Sequence, residues 1–237
     1  MPDRIHEKLI QRQLSHWSRL RTVLRPGEDP AQHKPLPVVT ISRQAGCGTR
    51  EQAETLGQRL GLQIFGKEIV EHIARDKDLT HEVVTALDER VASKVEQWVR
   101  GMLDRRFFLQ DDYHLALVRT VRSLAAHGGV IFIGRGANFI LADSADLSVR
   151  LVASEEWRVR SLAVRHMLTE DEARVKVRDI EAQRAAFVRR LFRADVDDPR
   201  HYDLVLNLER LGPALPEIIA AALAQRVRAA EAAAGRG

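Results

Sequence analysis

The sequence predicts an α/β fold, a mainly parallel five-stranded sheet with helices on both faces. Two observations predict it. Short aliphatic or β-branched runs alternate with stretches of helical periodicity along most of the chain. The first of these runs ends in a glycine-bearing turn that opens a helix. Sheets built this way bind ligands beyond the carboxyl ends of their strands.

The elements follow in order. Residues 4–24 read as an amphipathic helix, with Ile10, Leu14, Trp17 and Leu24 at steps of three, four and seven. Pro26, Gly27, Pro30, Pro35 and Pro37 end it and form a linker. The helix must bury its stripe on the main domain or on a second subunit, so it is a candidate homodimer surface. The main domain, 36–237, starts with the buried strand Val38–Ile41. Ala53, Leu56 and Leu60 then recur at helical spacing, Thr49 and Gln52 have the form of a capping box, and Gly61 sits at the C-cap position. Leu62–Phe65 is a second strand. Val84, Leu87, Val91, Val95, Trp98 and Met102 form one helical stripe. Val118, Val121, Leu124 and Ala125 form another, stopped by Gly128 and Gly129. Val130–Ile133, Val149–Val152 and Leu204–Leu206 complete the five strands.

Composition narrows the function classes. No run approaches the roughly 18 apolar residues of a membrane span. Residues 1–24 lack the apolar core of a secretory signal, so a cytoplasmic protein is expected. A single cysteine excludes an intramolecular disulfide framework and a cysteine-rich zinc site. The histidines, His127 and His166 among them, show no metal-ligand spacing. Trp98 and Trp157 lie on helical segments and read as packing residues. The net charge of +4 and pI near 9.6 suit a phosphate-bearing partner. No helix-turn-helix, zinc-finger or aromatic RNA-binding signature accompanies them, so a nucleic-acid partner is not expected.

The turn after the first strand, Ser42-Arg43-Gln44-Ala45-Gly46-Cys47-Gly48-Thr49-Arg50, is the main candidate site. Backbone N–H groups and a helix N-terminus favour a phosphate there. Gly46 and Gly48 allow the close approach, while Arg43 and Arg50 add charge. Against G-x-x-x-x-G-K-[ST], aligned on Gly48, Arg43 replaces the first glycine and Thr49 the lysine. Thr49 is then the candidate for holding magnesium and Arg50 for supplying the charge. Cys47 reads as a small side chain that fits the turn.

Three segments together resemble the cytidylate kinase-like family of P-loop nucleoside monophosphate kinases. They are Val39 to Glu51, Ile133-Gly134-Arg135-Gly136-Ala137-Asn138, and Tyr202-Asp203-Leu204-Val205-Leu206-Asn207. The likeness covers roughly residues 36–225. It implies a P-loop NTPase-type three-layer fold with a helical acceptor-side insertion at about 66–127 and a helical lid at about 155–198. It implies ATP and Mg2+ as cofactors, with Ser42, Arg43, Gly46, Cys47, Gly48, Thr49 and Arg50 around the nucleotide phosphates. Gly134 and Arg135 look like the family's glycine–arginine pair on the acceptor phosphate, with Asn138 beside them. Glu181 and Arg184 look like its acidic-x-x-arginine element on the lid helix. Spacing of three puts both on one helix face, where Glu181 is expected to orient Arg184. Arg184, Arg190 and Arg50 are the candidate catalytic cations, because spread charge on a transferring phosphoryl group calls for such groups. Lys67 is the acceptor-side candidate, although the family usually has an aspartate where Gly66 stands.

Three functions follow from these features. One is an ATP-dependent phosphotransferase acting on CMP or a related small acceptor. The second is a nucleotide-binding regulatory protein of weak or no activity, favoured by the missing lysine. The third, a nucleic-acid binder, rests on the pI alone.

Overall fold

The computed structural model describes residues 36–48, 50–85, 87, 89–104 and 112–234. The expected N-terminal helix and linker lie outside them. The chain forms two compact units, residues 37–64 with 131–237, and residues 1–36 with 65–130.

The first of these holds the sheet. Its strands are β1 (Val38–Arg43), β2 (Gln63–Phe65), β3 (Val130–Ile133), β4 (Leu147–Val152) and β5 (Leu204–Asn207), in the order β2-β3-β1-β4-β5. All five predicted strands are present in one parallel sheet. β1 pairs with β4 from Val39 opposite Leu147 to Arg43 opposite Leu151, and β4 pairs with β5 from Val149 opposite Leu204 to Val152 opposite Asn207. The chain passes from β1 to β2 and β3 on one side, then crosses to β4 on the other. The carboxyl end of β1 is therefore the switch point, where such sheets place ligands.

Helix α1 (Arg50–Leu60) follows the loop and ends at Gly61, whose φ of 67° is the left-handed C-cap expected there. Its Ala53 and Leu56 pack with Val39, Ile41, Ile131, Val149 and Leu151 of the strands. Four-residue helices α6 (Ala137–Ile140) and α9 (Leu208–Leu211) follow β3 and β5, and α10 (Leu215–Ala234) adds Leu215, Ile219 and Leu223 to the same core. Each such side chain contributes about 1.5–3 kcal/mol when fully buried. Between β4 and β5 stands a helical hairpin, α7 (Glu155–His166) and α8 (Glu170–Phe192). Ser154 caps α7 by accepting from Trp157 N, and Thr169 with Glu172 forms a full capping box on α8. Their interface is Val159, Leu162, Ala163, Ala173 and Val177, joined by Ala45 of the loop.

The other unit is helical. It carries α2 (Lys67–Arg75), α3 (Lys77–Thr85), α4 (Glu89–Asp104) and α5 (Asp112–His127). The single stripe expected from Val84 to Met102 is divided between α3 and α4, so apolar spacing carried across a break. Asp76 makes the earlier break, its Oδ1 capping α3 at 3.0 Å from Asp78 N and 3.1 Å from Leu79 N. Leu117, Val118, Val121 and Leu124 of α5 are buried. Arg119 clamps Glu96 through two bonds of 2.7 and 3.1 Å, and the Arg122 guanidinium lies 3.2 Å from the Trp98 ring centroid. Trp98 thus packs against an arginine.

Candidate functional site at the loop after the first strand

The loop is built by backbone bonds at the sheet edge. Gln44 N donates to Leu151 O at 3.0 Å, which carries the β1–β4 ladder one step past the strand, and Cys47 N donates to Gln44 O at 3.2 Å. The Gln44 side chain accepts from Ala153 N at 3.1 Å. Gly46 turns the chain at φ 86°, and a Cβ there would sit 2.8 Å from Arg158 Cβ and 2.9 Å from its carbonyl carbon. Only glycine meets both demands.

Arginines gather around this turn. Arg158, on the first turn of α7 and only 9% exposed, donates from Nη1 to Ala45 O and from Nε to Ala153 O, each at 3.2 Å. Arg184 of α8 donates from Nη1 to Arg43 O at 2.9 Å. Arg150 is 3% exposed in the middle of β4. It donates to Ser42 Oγ at 2.9 Å, pairs with the Asp197 carboxylate, and its guanidinium lies 5.5 Å from the Tyr202 ring centroid. Tyr202 Oη donates to Val196 O at 2.8 Å and lies 3.4 Å from Ser42 Oγ. Gly134 N donates to Ile41 O at 3.0 Å, so the Gly134–Arg135 turn lies beside the end of β1. A Cβ on Gly134 would sit 3.0 Å from Arg43 Nη1. Arg135 adopts φ 54°, and its guanidinium lies 5.7 Å from the Phe187 ring of α8.

A second carboxylate, besides Asp197, enters this cluster. Glu181 accepts a hydrogen bond from Ala45 N, and its Oε1 lies 3.9 Å from Arg158 Nη1. Burial lowers the pKa of Arg184; Glu181 opposes that shift, and Arg150 and Arg135 add to it. Burial also pushes the Cys47 thiol from 9.0 up to about 11. Cys47 is 0% exposed and packs in the sheet core, the role expected of a small side chain fitting the turn.

The structure therefore brings together Ser42, Arg43, Gly46, Cys47, Gly48, Gly134, Arg135, Glu181 and Arg184. Asn138 is buried on α6, and its Nδ2 has no hydrogen-bond partner among the described residues. Arg190 is exposed near the end of α8. Lys67 opens α2 in the helical unit, exposed. Thr49 and the Arg50 side chain lie outside the described residues. Sequence reasoning missed Arg150, Arg158, Asp197 and Gln44. Arg150 left a signal: it is a charge inside the buried run Val149–Val152, a position that demands partners. Arg158 left none, since arginine on a helix is ordinarily a solvated residue.

Comparison with known proteins places this geometry. The chain is 29% identical to a cytidylate kinase of Halobacterium salinarum over 177 residues, covering 74% of this chain and 83% of that one. It is 27% identical to a cytidylate kinase of Methanothermobacter thermautotrophicus, covering 73% and 96%. An uncharacterized protein from Eubacterium ventriosum shares the fold at a TM-score of 0.61 and 17% identity, covering 81% of this chain and 99% of that one. The model of the cytidylate kinase-like family matches residues 38–210, which span β1, the arginine-lined loop, the Gly134–Arg135 turn and the α7–α8 hairpin, and the chain belongs to that family.

Proposed function

We propose that this protein is an ATP-dependent nucleoside monophosphate kinase, with CMP the first acceptor to try. The observation that carries the reading is the convergence of Arg43, Arg135, Arg150, Arg158 and Arg184 on one loop at the sheet's switch point. Five cations facing two carboxylates, Glu181 and Asp197, leave an excess of positive charge that suits a polyphosphate. Family membership and the named activity of the relatives support the same reading.

The residues then divide the work. The N–H groups of Gly46 and Gly48 bind the donor phosphates, and Ala45 N joins them where a phosphate displaces Glu181. Arg184, fixed at the loop by Arg43 O, neutralises charge on the transferring group, with Arg190 further along the same helix. Arg135, beside the loop, takes the acceptor phosphate, and Asn138 is a further acceptor contact. Catalysis is by positioning and charge, with no covalent enzyme intermediate. Among the described residues no group of three or more His, Cys, Asp or Glu side chains could hold a metal. Magnesium would keep substrate phosphates and waters as most of its ligands, and Thr49, outside the described residues, is the protein ligand that the sequence suggests. Bound magnesium would screen the charge between phosphoryl groups. No helix among the described residues is long and apolar enough to cross a membrane.

A panel of nucleoside monophosphates with MgATP tests the reading by ADP release. Turnover with at least one acceptor is expected, reduced about 100-fold or more in Arg184→Ala. No turnover with any acceptor would remove it. The missing lysine and the carboxylate on Ala45 N favour a second reading, a nucleotide-binding regulator. Tight binding of nucleotide with no turnover selects that one.

A further inference from the structure

Position 49, where a phosphate loop of this type carries its lysine, is a threonine. The loop thus offers backbone N–H groups without the lysine charge at that position, and the side chain of Arg50, the loop's own candidate for it, lies outside the described residues. That charge has another source within reach.

Arg165 stands in the last turn of α7. Its guanidinium lies directly on Gly48, the last glycine of the loop: a Cβ built there would fall on the fork, 2.8 Å from Nη1 and nearer still to Cζ and Nη2. Gly48 is therefore small enough to let a guanidinium rest on the backbone beside position 49. Ser161, one turn earlier on the same face of α7, holds the fork by accepting from Nη2 at 2.9 Å. Among the described residues that is the fork's one hydrogen-bond partner, and no carboxylate pairs with it. Arg158 and Arg150 are spent differently. Both are buried, one tied to loop carbonyls and the other to Asp197 and Ser42. Arg165 is exposed and keeps most of its donors for a ligand.

We propose that Arg165 supplies from α7 the phosphate-contacting charge that position 49 lacks, its fork over Gly48 receiving β- and γ-phosphate oxygens of the bound triphosphate. This rests on the nucleotide-kinase reading above. A planar fork makes paired bonds to phosphate where a lysine makes a point contact. It also moves the charge from the loop to a helix, so binding of triphosphate depends on the placement of α7.

The test compares wild type with Arg165→Gln, Arg165→Lys and the double variant Arg165→Gln/Thr49→Lys. Glutamine keeps most of the stem, so packing is preserved while the charge is lost. Calorimetric affinity for a non-hydrolysable MgATP analogue and for CMP is read beside kcat and KM. Arg165→Gln is expected to weaken the analogue about tenfold and to lower kcat about 100-fold, with CMP affinity unchanged within twofold. Arg165→Lys should retain part of both, and lysine at position 49 should recover part of what Arg165→Gln loses. Wild-type affinity and turnover in Arg165→Gln overturn the proposal alone. Wild-type protein that neither binds the analogue nor turns over removes the kinase reading, and this proposal with it.

Discussion

Glu181 shows how one residue acquires two opposed effects. Its carboxylate takes a hydrogen bond from the phosphate loop at Ala45 N and reduces the positive potential made by Arg158 and Arg184. An incoming phosphate competes with it for that field. Glu181→Gln keeps an acceptor oxygen but removes the charge, so we expect MgADP to bind several-fold tighter, by about 1 kcal/mol. The turnover number should fall in the same variant, because Arg184 loses the coulombic attraction of Glu181 that helps hold its guanidinium at the loop. Calorimetry and steady-state rates separate the two effects; weaker MgADP binding would show that Glu181 shapes the loop and does not compete for it. Cys47 gives a second prediction. Its folded pKa is raised from 9.0 to about 11, so the folded state holds a proton that the unfolded state releases first. The contribution is fully present below pH 9 and is lost as pH rises through 11. Urea midpoints measured from pH 8.5 to 11 should therefore fall more steeply for wild type than for Cys47→Ala. Equal slopes would mean that the thiol ionises as readily in the folded chain. Neither role was legible in the sequence. Glu181 stands out by the likeness of Glu181-Ala182-Gln183-Arg184 to the family's acidic-x-x-arginine element, and a local motif does not show a reach to a loop 136 residues away.

At the scale of elements, the α7–α8 hairpin is pinned to the sheet unit at two places. Near the loop, Ala45 joins the hairpin's own apolar interface. Towards the end of α8, Phe192 stacks on Phe139 with ring centroids 5.1 Å apart, and Phe139 meets His201 edge-on at the same distance. Gly136 makes this second contact possible. It has φ 67°, and a Cβ there would lie 2.5 Å from Phe192 Cε2. Gly136→Ala adds left-handed strain of roughly 1 kcal/mol to the displaced ring, so a loss of about 2 kcal/mol or more is expected. In a chain of this size that lowers Tm by roughly 4–8 °C. Thr169→Ala removes the capping box of α8 far from these aromatics, at about 1 kcal/mol and 2–4 °C. Thermal melts distinguish the two, and a Gly136→Ala melt equal to wild type would mean that the ring contact contributes nothing. Strand positions were read well because buried parallel strands are short continuous apolar runs, as Val130–Ile133 is. The division of 84–102 into two helices was not, because the helical spacing of apolar residues continues from Val84 to Val95 and no proline or glycine stands between Thr85 and Glu89.

For the whole molecule, the legible part of the site is the part written in local sequence. The strand–loop–helix turn and the Gly134–Arg135 turn each lie within a few residues of a strand end, so pattern and position identify them together. Arg150, Arg158 and Arg165 come to the loop from 100 residues or more away, and only the strand order β3-β1-β4 brings their elements there. The distribution of protection on ligand binding tests that assembly. A ligand present at 100 times its Kd stabilises its binding state by about 2.7 kcal/mol, which slows exchange through local opening about 100-fold. A non-hydrolysable MgATP analogue should therefore protect amides at 42–48, in α7 from Arg158 to Arg165, and in α8 around Glu181–Arg184, all within one compact unit. The helices from Lys67 to His127 form the other unit and should exchange as in the free protein until CMP is added. Hydrogen exchange with mass spectrometry reads both sets of peptides in one experiment. Protection by the ATP analogue confined to the Lys67–His127 helices would place the donor phosphates away from the arginine-lined loop and would overturn the assignment of donor binding to it.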